Sequence, residues 1–272
     1  MIDLHCHILP GLDDGAQSLA EAVAMARAAE EDGIRTVVGT PHLFRGGIGL
    51  EDLEEIARIR EELGRALKRE GIRVEVLTGA EVRFSHNLLE EIRKHRKRLV
   101  LHTSSYLFVE FPFDYVFPGV KDVFFELMSE GLVPIIAHPE RNSVFMSRPA
   151  QLYELVEMGC FGQANAGSFT GLYGQAVHDA ALKMLGWGLI HILASDAHNP
   201  VSRPPRLTPA LRAVEPLLGP ERTRALVEDN PRAVLEDKAL PFQPEAFNPE
   251  AREKSLRIKL PSFLKRKEKA SS

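Results

Sequence analysis

Cysteine is scarce in this 272-residue chain, and that scarcity removes two classes at once. Cys6 and Cys160 are too few for a disulfide framework. Neither opens a Cys-x5-Arg phosphate loop, because Leu12 and Ala166 stand where the arginine would be, so a thiol-based phosphatase mechanism is not expected. No apolar run approaches the ~18 residues that a membrane span needs. The amino terminus enters directly into a strand pattern without the basic and apolar regions of a signal peptide, and a cytoplasmic location is expected. Charge of one sign is also lacking: the net charge of −4 leaves no general nucleic-acid footprint. The Gly46-Gly47-Ile48-Gly49 stretch lacks a following Lys-Ser/Thr, so it reads as a lip of the site rather than a nucleotide loop.

What is present is an ordinary globular composition, 44% hydrophobic and 26% charged, with strand patterns alternating with helical ones. Strands are predicted over residues 2–7, 34–40, 73–78, 106–111, 133–137, 161–165 and 189–194. Helices are predicted over 19–31, after a Ser18 cap, and over 51–70, 120–131, 151–158 and 175–186, with further helices near 209–218 and 221–228. Seven strand–helix units with polar residues gathered at the strands' carboxyl ends predict an α/β fold, a distorted TIM-like barrel of seven parallel strands with its site on that face. The domain is expected at residues 1–237. Beyond it the composition shifts, and residues 251–272 carry eight Lys or Arg against two Glu, a net of +6. A solvated flexible tail at 238–272 is the plain reading; an electrostatic hook for an anionic membrane surface is the sharper one.

The chemistry concentrates at the strand ends. In Asp3-Leu4-His5-Cys6-His7, alternation sends both imidazoles to one face and Leu4 and Cys6 to the other. Five later segments follow the same plan, ending at His42, Glu81, Glu110, His138 and His198. Five of the ten histidines therefore sit at strand ends, and the other five (His86, His95, His102, His178, His191) read as surface or packing residues. Glu110, among Phe108, Val109, Phe111 and Phe113, is a carboxylate in apolar company, which demands a cation. With Asp196 and one of the Asp13-Asp14 pair, the candidate ligands are too many for one ion. They predict two or three, bridged by carboxylates; imidazole and carboxylate without thiolate favour Mn, Fe or Zn. Such a cluster makes hydroxide available near neutral pH. Arg141 follows His138 by three residues, and Arg203 and Arg206 follow Asp196 and His198. Guanidinium groups there suit a phosphate.

Taken together, Asp-Leu-His-Cys-His at 3–7, Thr-Pro-His at 40–42, Gly-Ala-Glu at 79–81, Ala-His-Pro-Glu-Arg at 137–141 and Ser-Asp-Ala-His at 195–198 resemble the polymerase-and-histidinol-phosphatase (PHP) family. Within it, the turn at 7–15, Phe-Val-Glu-Phe-Pro at 108–112 and Ser-Arg-Pro-Pro at 202–205 resemble the bacterial metal-dependent protein-tyrosine phosphatases of capsule and exopolysaccharide loci. The resemblance implies a trinuclear, usually manganese site: His5, His7, Glu81 and Asp196 on one ion; Glu81, Glu110 and His138 on a second; Asp14, His42 and His198 on a third. Arg141 and Arg203 match its phosphate-binding arginines. It further implies phosphotyrosine on the tail of a bacterial tyrosine kinase as substrate, and oligomers in some members. The tyrosinate leaving group, with a pKa of ~10, needs no strong general acid. The rival expectation is a histidinol phosphate phosphatase, with the same metals and a small alkyl substrate. A regulatory module with a dead site is disfavoured, since every ligand position is filled by a competent residue.

Overall fold

The computed structural model describes residues 1–44, 53–85 and 87–250. The Gly46–Gly49 lip, His86 and the basic stretch 251–272 lie outside the described residues. Among the described residues, nine parallel strands form two sheets: β1 (Ile2–Cys6), β2 (Thr36–Gly39), β3 (His42–Leu43), β4 (Glu75–Thr78), β5 (Glu81–Arg83), β6 (Tyr106–Glu110), β7 (Val133–Ala137), β8 (Phe161–Asn165) and β9 (Ile192–Ala194). One sheet has the order β1-β2-β4, the other β3-β5-β6-β7-β8-β9.

The fold is therefore α/β with parallel sheets, but not the seven unbroken strands that periodicity predicts. Two predicted strands, at 34–40 and 73–78, are each followed after a break by a further short strand. Pro41 has no N–H to donate, so β2 stops and resumes as β3. The partner strand breaks at Gly79-Ala80 between β4 and β5. Hydrogen bonds carry the pairing over the breaks, from Gly79 N to Gly39 O at 2.9 Å and from Glu81 N to Pro41 O at 3.1 Å. Between β1 and β9 the contact is a single bridge, Cys6 to Ala197, flanked by Asp196 N to His5 O and His7 N to Ala197 O, both 2.8 Å. As hydrogen-bonded ladders the described strands form these two parallel sheets, joined by that bridge.

Alternation along the strands sorts two apolar clusters. On β6, Leu107 and Val109 face the helices, while Tyr106 and Phe108 face a smaller cluster with Ile2, Leu4, Val38, Ile135 and Ile192. The next residue on that second face is Glu110. Such alternation is what a sheet covered on both faces requires. β1 departs from it: its register against β2 shifts between Asp3 and Cys6, and Leu4 packs in the smaller cluster while Cys6 packs in the larger.

Helices Leu19–Glu31 and Gln175–Gly186 stand where the sequence puts them, and Ser18 accepts a hydrogen bond from Glu21 N as expected of a cap. After β8 the chain makes a short helix, Ala166–Phe169. The composition change at residue 237 is not a packing boundary. Tyr106 Oη donates to Lys238 O at 2.7 Å, Leu240 is buried, Phe242 N donates to Asn230 Oδ1 at 3.0 Å and Phe247 N to Trp187 O at 2.9 Å. This segment and helix Asn230–Leu235 cover the strands' amino-terminal ends and leave the carboxyl-terminal ends for the site.

Candidate metal centre

His5 and His7 set the centre. His5 Nδ1 lies 2.9 Å from Gln163 Oε1, and His7 Nδ1 lies 2.6 Å from Asp13 Oδ2. Those oxygens can only accept, so in neutral imidazoles Nδ1 carries the proton and each Nε2 presents a lone pair. Both Nε2 atoms are buried without a hydrogen-bond partner, and so is Glu81 Oε2, 3.3 Å from one and 3.4 Å from the other. Asp196 Oδ1 completes the group at 3.7 and 3.3 Å. Lone pairs facing lone pairs in a buried space need protons or a cation between them. The donor set, with no thiolate, fits a divalent metal.

The turn after β1 supplies the next carboxylates. Gly15 passes so close to His7 that a Cβ there would lie 2.1 Å from His7 O and 2.4 Å from His7 Cβ. Only glycine lets the Asp13-Asp14-Gly15 turn wrap the histidine. Asp13, thus placed, accepts from His7 and from His42 N at 3.1 Å. Asp14 Oδ1 instead faces His42 Nε2 and His198 Nε2, each at 3.3 Å. His198 Nδ1 donates to Asp196 O at 3.0 Å, which fixes that tautomer.

Glu81 is the hub. Besides the first two imidazoles it meets His42 Nδ1 at 2.8 Å and, through Oε1, His138 Nε2 at 2.8 Å. Three groups of potential ligands converge: His5, His7 and Glu81; His7, Asp14, His42 and His198; and His42, Glu81 and Glu110. Two of the contributing backbones are strained. His138 has φ 34° and Asp196 φ 49°, left-handed values that non-glycine residues adopt at a cost, and both fall on ligand candidates. Asp3, buried, holds the second of these, accepting from Ser195 N at 2.9 Å and from Ser195 Oγ. Burial raises the Asp3 carboxyl to about 6.

Electrostatics follow from these contacts. Burial alone would depress His42, but the Asp14 and Glu81 carboxylates raise it to about 9. Against the same burial, Glu81 raises His5 and Asp13 raises His7. Hydrogen bonds from His198 and His42 lower Asp14. Burial works against Glu81 and Asp196, yet surrounding imidazoles, with Arg203 beside Asp196, hold both well below the carboxylate range. The carboxylates thus draw protons onto His5, His7 and His42, whereas burial lowers His198, so metal uptake at the first three would release protons.

Every strand-end residue expected from sequence reaches this centre: His5, His7, Asp14, His42, Glu81, Glu110, His138, Asp196 and His198. His138 touches Glu81 but shares none of the three convergent groups. Arg141 Nη1 and Arg203 Nη2 both donate to Asp196 Oδ2, at 2.9 and 2.7 Å. Arg206 is exposed. The cation that Glu110 demands is partly supplied by the chain, since Arg83 Nη1 lies 3.0 Å from Glu110 Oε2. Arg83 was legible, two residues after Glu81 on one strand face. Gln163 and Asn165, a period-2 pair at the end of β8, went unmarked as uncharged amides; Asn165 Nδ2 donates to Asp196 Oδ2. Nothing in the sequence marked Phe113 and Tyr173, whose rings lie 4.7 and 4.2 Å from Arg141 Cζ. Of the remaining histidines, His191 is buried packing and His95, His102 and His178 are half-buried.

Comparison with known proteins agrees with this arrangement. The family model "Capsular polysaccharide synthesis, CpsB/CapC" matches residues 1–236. The chain is 38% identical over 244 residues to the tyrosine-protein phosphatase YwqE of Bacillus subtilis, covering 90% of this chain and 95% of that protein. It is 33% identical to the putative tyrosine-protein phosphatase CapC of Staphylococcus aureus, covering 75% and 79%. A crystal structure from work on YwqE and on CpsB of Streptococcus pneumoniae, described as unique metal-dependent tyrosine phosphatases, superposes with a TM-score of 0.86 at 36% identity, covering 91% of this chain and 99% of that one. A β-aspartyl dipeptidase from Fervidobacterium islandicum shares the fold alone, with a TM-score of 0.51 at 13% identity. With 236 residues matched end to end, the chain belongs to the CpsB/CapC family of capsular polysaccharide synthesis.

Proposed function

We infer that the protein is a metal-dependent phosphoric monoester hydrolase that removes phosphate from tyrosine in a protein substrate. The observation that carries the reading is the junction at Asp196, where two guanidinium groups meet one carboxylate oxygen beside the buried imidazoles. Two arginines on one carboxylate leave a positive charge, which suits a phosphate dianion. The relatives' names support tyrosine as the phosphorylated residue and capsule synthesis as the setting. The histidinol phosphate alternative finds no support among them.

Two to three divalent ions, manganese first among Mn, Fe and Zn, would be held by His5, His7, Glu81 and Asp196, by Glu81, Glu110 and His138, and by Asp14, His42 and His198. When bound they supply Lewis acidity and lower the pKa of the attacking water. Arg141 and Arg203 bind and orient the phosphoryl group and balance charge on its equatorial oxygens as the ester bond breaks. Gln163 and Asp13 hold His5 and His7 in the tautomer that presents Nε2 to the centre.

The phosphatase unit is residues 1–237, its two sheets read as one distorted seven-position barrel interrupted at Pro41 and Gly79. Its substrate is the phosphotyrosine tail of a bacterial tyrosine kinase, met in the cytoplasm. No helix among the described residues is long and apolar enough to cross a membrane. The basic stretch 251–272 would add contact with an anionic membrane surface; equal liposome cosedimentation of full-length and truncated protein would remove that idea. Self-association, implied by the family resemblance, is read by light scattering.

The test is hydrolysis by metal-stripped protein, with and without Mn(II), of a phosphotyrosyl peptide, its phosphoseryl counterpart and histidinol phosphate. Manganese-dependent turnover of the tyrosyl peptide is expected. Preference for histidinol phosphate would keep the site and overturn the substrate.

A further inference from the structure

Arg141 is held between two aromatic rings. Its guanidinium carbon lies 4.2 Å from the centroid of Tyr173, which is half-buried and also within 5.7 Å of Arg203, and 4.7 Å from that of Phe113. The rings differ in what their remaining surface does. Tyr173 turns inward over both arginines. Phe113 stays 41% exposed at the mouth, its ring 5.9 Å from His138.

The placement of Phe113 is built rather than incidental. Phe113 O accepts from Ser143 N at 2.7 Å, and buried Asn142 donates through Nδ2 to Pro112 O at 2.6 Å and Tyr115 O at 3.2 Å. The loop presenting Phe113 is thus fastened to the residues that directly follow Arg141. A ring that braces an arginine can do so while buried, as Tyr173 largely does. An exposed ring pinned beside a phosphate-binding arginine offers its free surface to whatever the phosphate is attached to.

We propose that Phe113 is a specificity-determining residue, its exposed ring packing against the aromatic ring of the phosphorylated tyrosine. This rests on the phosphatase reading above and deepens it. With phosphate on Arg141 and Arg203, the ester oxygen must leave away from the buried cluster, toward the mouth where Phe113 stands. Aromatic pairs add enough attraction to shift affinity roughly three- to tenfold, a gain that an alkyl phosphate forgoes.

The test is calorimetric binding to the full-length, Mn(II)-loaded protein of phenylphosphonate, methylphosphonate and inorganic phosphate, none of which turns over. Wild type should prefer phenylphosphonate to methylphosphonate. Phe113→Leu should weaken phenylphosphonate roughly three- to tenfold and leave the other two unchanged, and Phe113→Trp should restore the preference. Equal weakening of all three ligands would mean that Phe113 acts only by bracing Arg141, and would overturn the proposal. So would unchanged phenylphosphonate binding in Phe113→Leu, or no preference in wild type. Separately, no manganese-dependent turnover of a phosphotyrosyl peptide would fall on the phosphatase reading, whereas turnover with an unchanged phosphonate ratio would fall on Phe113 alone.

Discussion

At the amino-terminal ends of the strands, His191 packs against Phe161 with ring centroids 4.9 Å apart and accepts a hydrogen bond from Gly162 N; burial pushes it down to about 4. At the carboxyl-terminal ends, His42 is buried too, yet Asp14 and Glu81 bring it up to about 9. The same side chain is neutral packing at one end and a proton sink at the other. The difference is the company of carboxylates. Along one face of β6, Tyr106 and Phe108 pack in an apolar cluster and the next residue, Glu110, enters the site. A few residues of strand thus separate a region that stores folding energy from one that stores affinity for a cation. Backbone strain does not follow the same division: among the described residues His138 and Asp196 are left-handed at the site end, but so is Asp237, which accepts from Ser105 at the other end.

Two substitutions break the comparison in opposite senses. Glu81→Gln keeps the shape of the hub and removes its charge, so turnover should fall on the order of a thousandfold, about 4 kcal/mol in activation free energy, with the far-UV circular dichroism retained. Turnover within tenfold of wild type would place the centre elsewhere. Ile135→Ala, fully buried in the apolar cluster, should instead cost about 3 kcal/mol of stability in urea unfolding, with the rate of the remaining folded enzyme unchanged. Similar losses of both quantities in both variants would mean that the two regions are not separable.

That separation also explains what the sequence could reveal. Imidazoles and carboxylates at strand ends are rare residues in a regular pattern, and eight of the nine candidates stand out without coordinates. Asp13 and Asp14 were legible only as a pair, because which one orients His7 and which faces His42 and His198 depends on how the turn folds over Gly15. Gln163 and Asn165 alternate as His5 and His7 do, but uncharged amides at a strand end do not announce a role. Phe113 and Tyr173 come from loops after different strands, so their meeting on Arg141 is a product of the fold. Pro41 and Gly79 were visible as the places where two strands end, but the short strands β3 and β5 that resume beyond them were not. Composition located the change at 237 and missed that Leu240 and Phe242 still pack on the body.

His191 offers a smaller, pH-dependent contrast. Its folded value of about 4 lies below the 6.5 of a free histidine, so the unfolded chain takes up the proton first. Its contribution is therefore complete above pH 6.5 and lost as pH falls toward 4, by about 3 kcal/mol at most. Asp3, raised to about 6, has the opposite sign, gaining stability as pH falls from 6 toward its unfolded value of 3.8. Comparing wild type with His191→Gln cancels that term. In urea unfolding of metal-free protein from pH 7 to 4.5, wild type should lose more stability than the variant; parallel curves would show that His191 is protonated at no net cost.

The mildest perturbation lies between the two regions. Gln163 Oε1 holds His5 Nδ1 and its Nε2 donates to Asn165 Oδ1 at 3.0 Å, so this fully buried side chain touches the imidazole without facing the centre. Gln163→Ala frees His5 to rotate or to carry its proton on Nε2, the atom that must present a lone pair. Outer partners of this kind are worth roughly 10- to 100-fold in metal affinity. We expect a Mn(II) titration of Gln163→Ala to show a loss in that range, with turnover recovering toward wild type at saturating metal because every ligand remains. A deficit that persists at saturation would mean that His5 orientation matters to the reaction itself. No loss of affinity would mean that packing against Phe108, 5.0 Å away between ring centroids, is enough to hold His5, and that the apolar region reaches further into the site than its charges suggest.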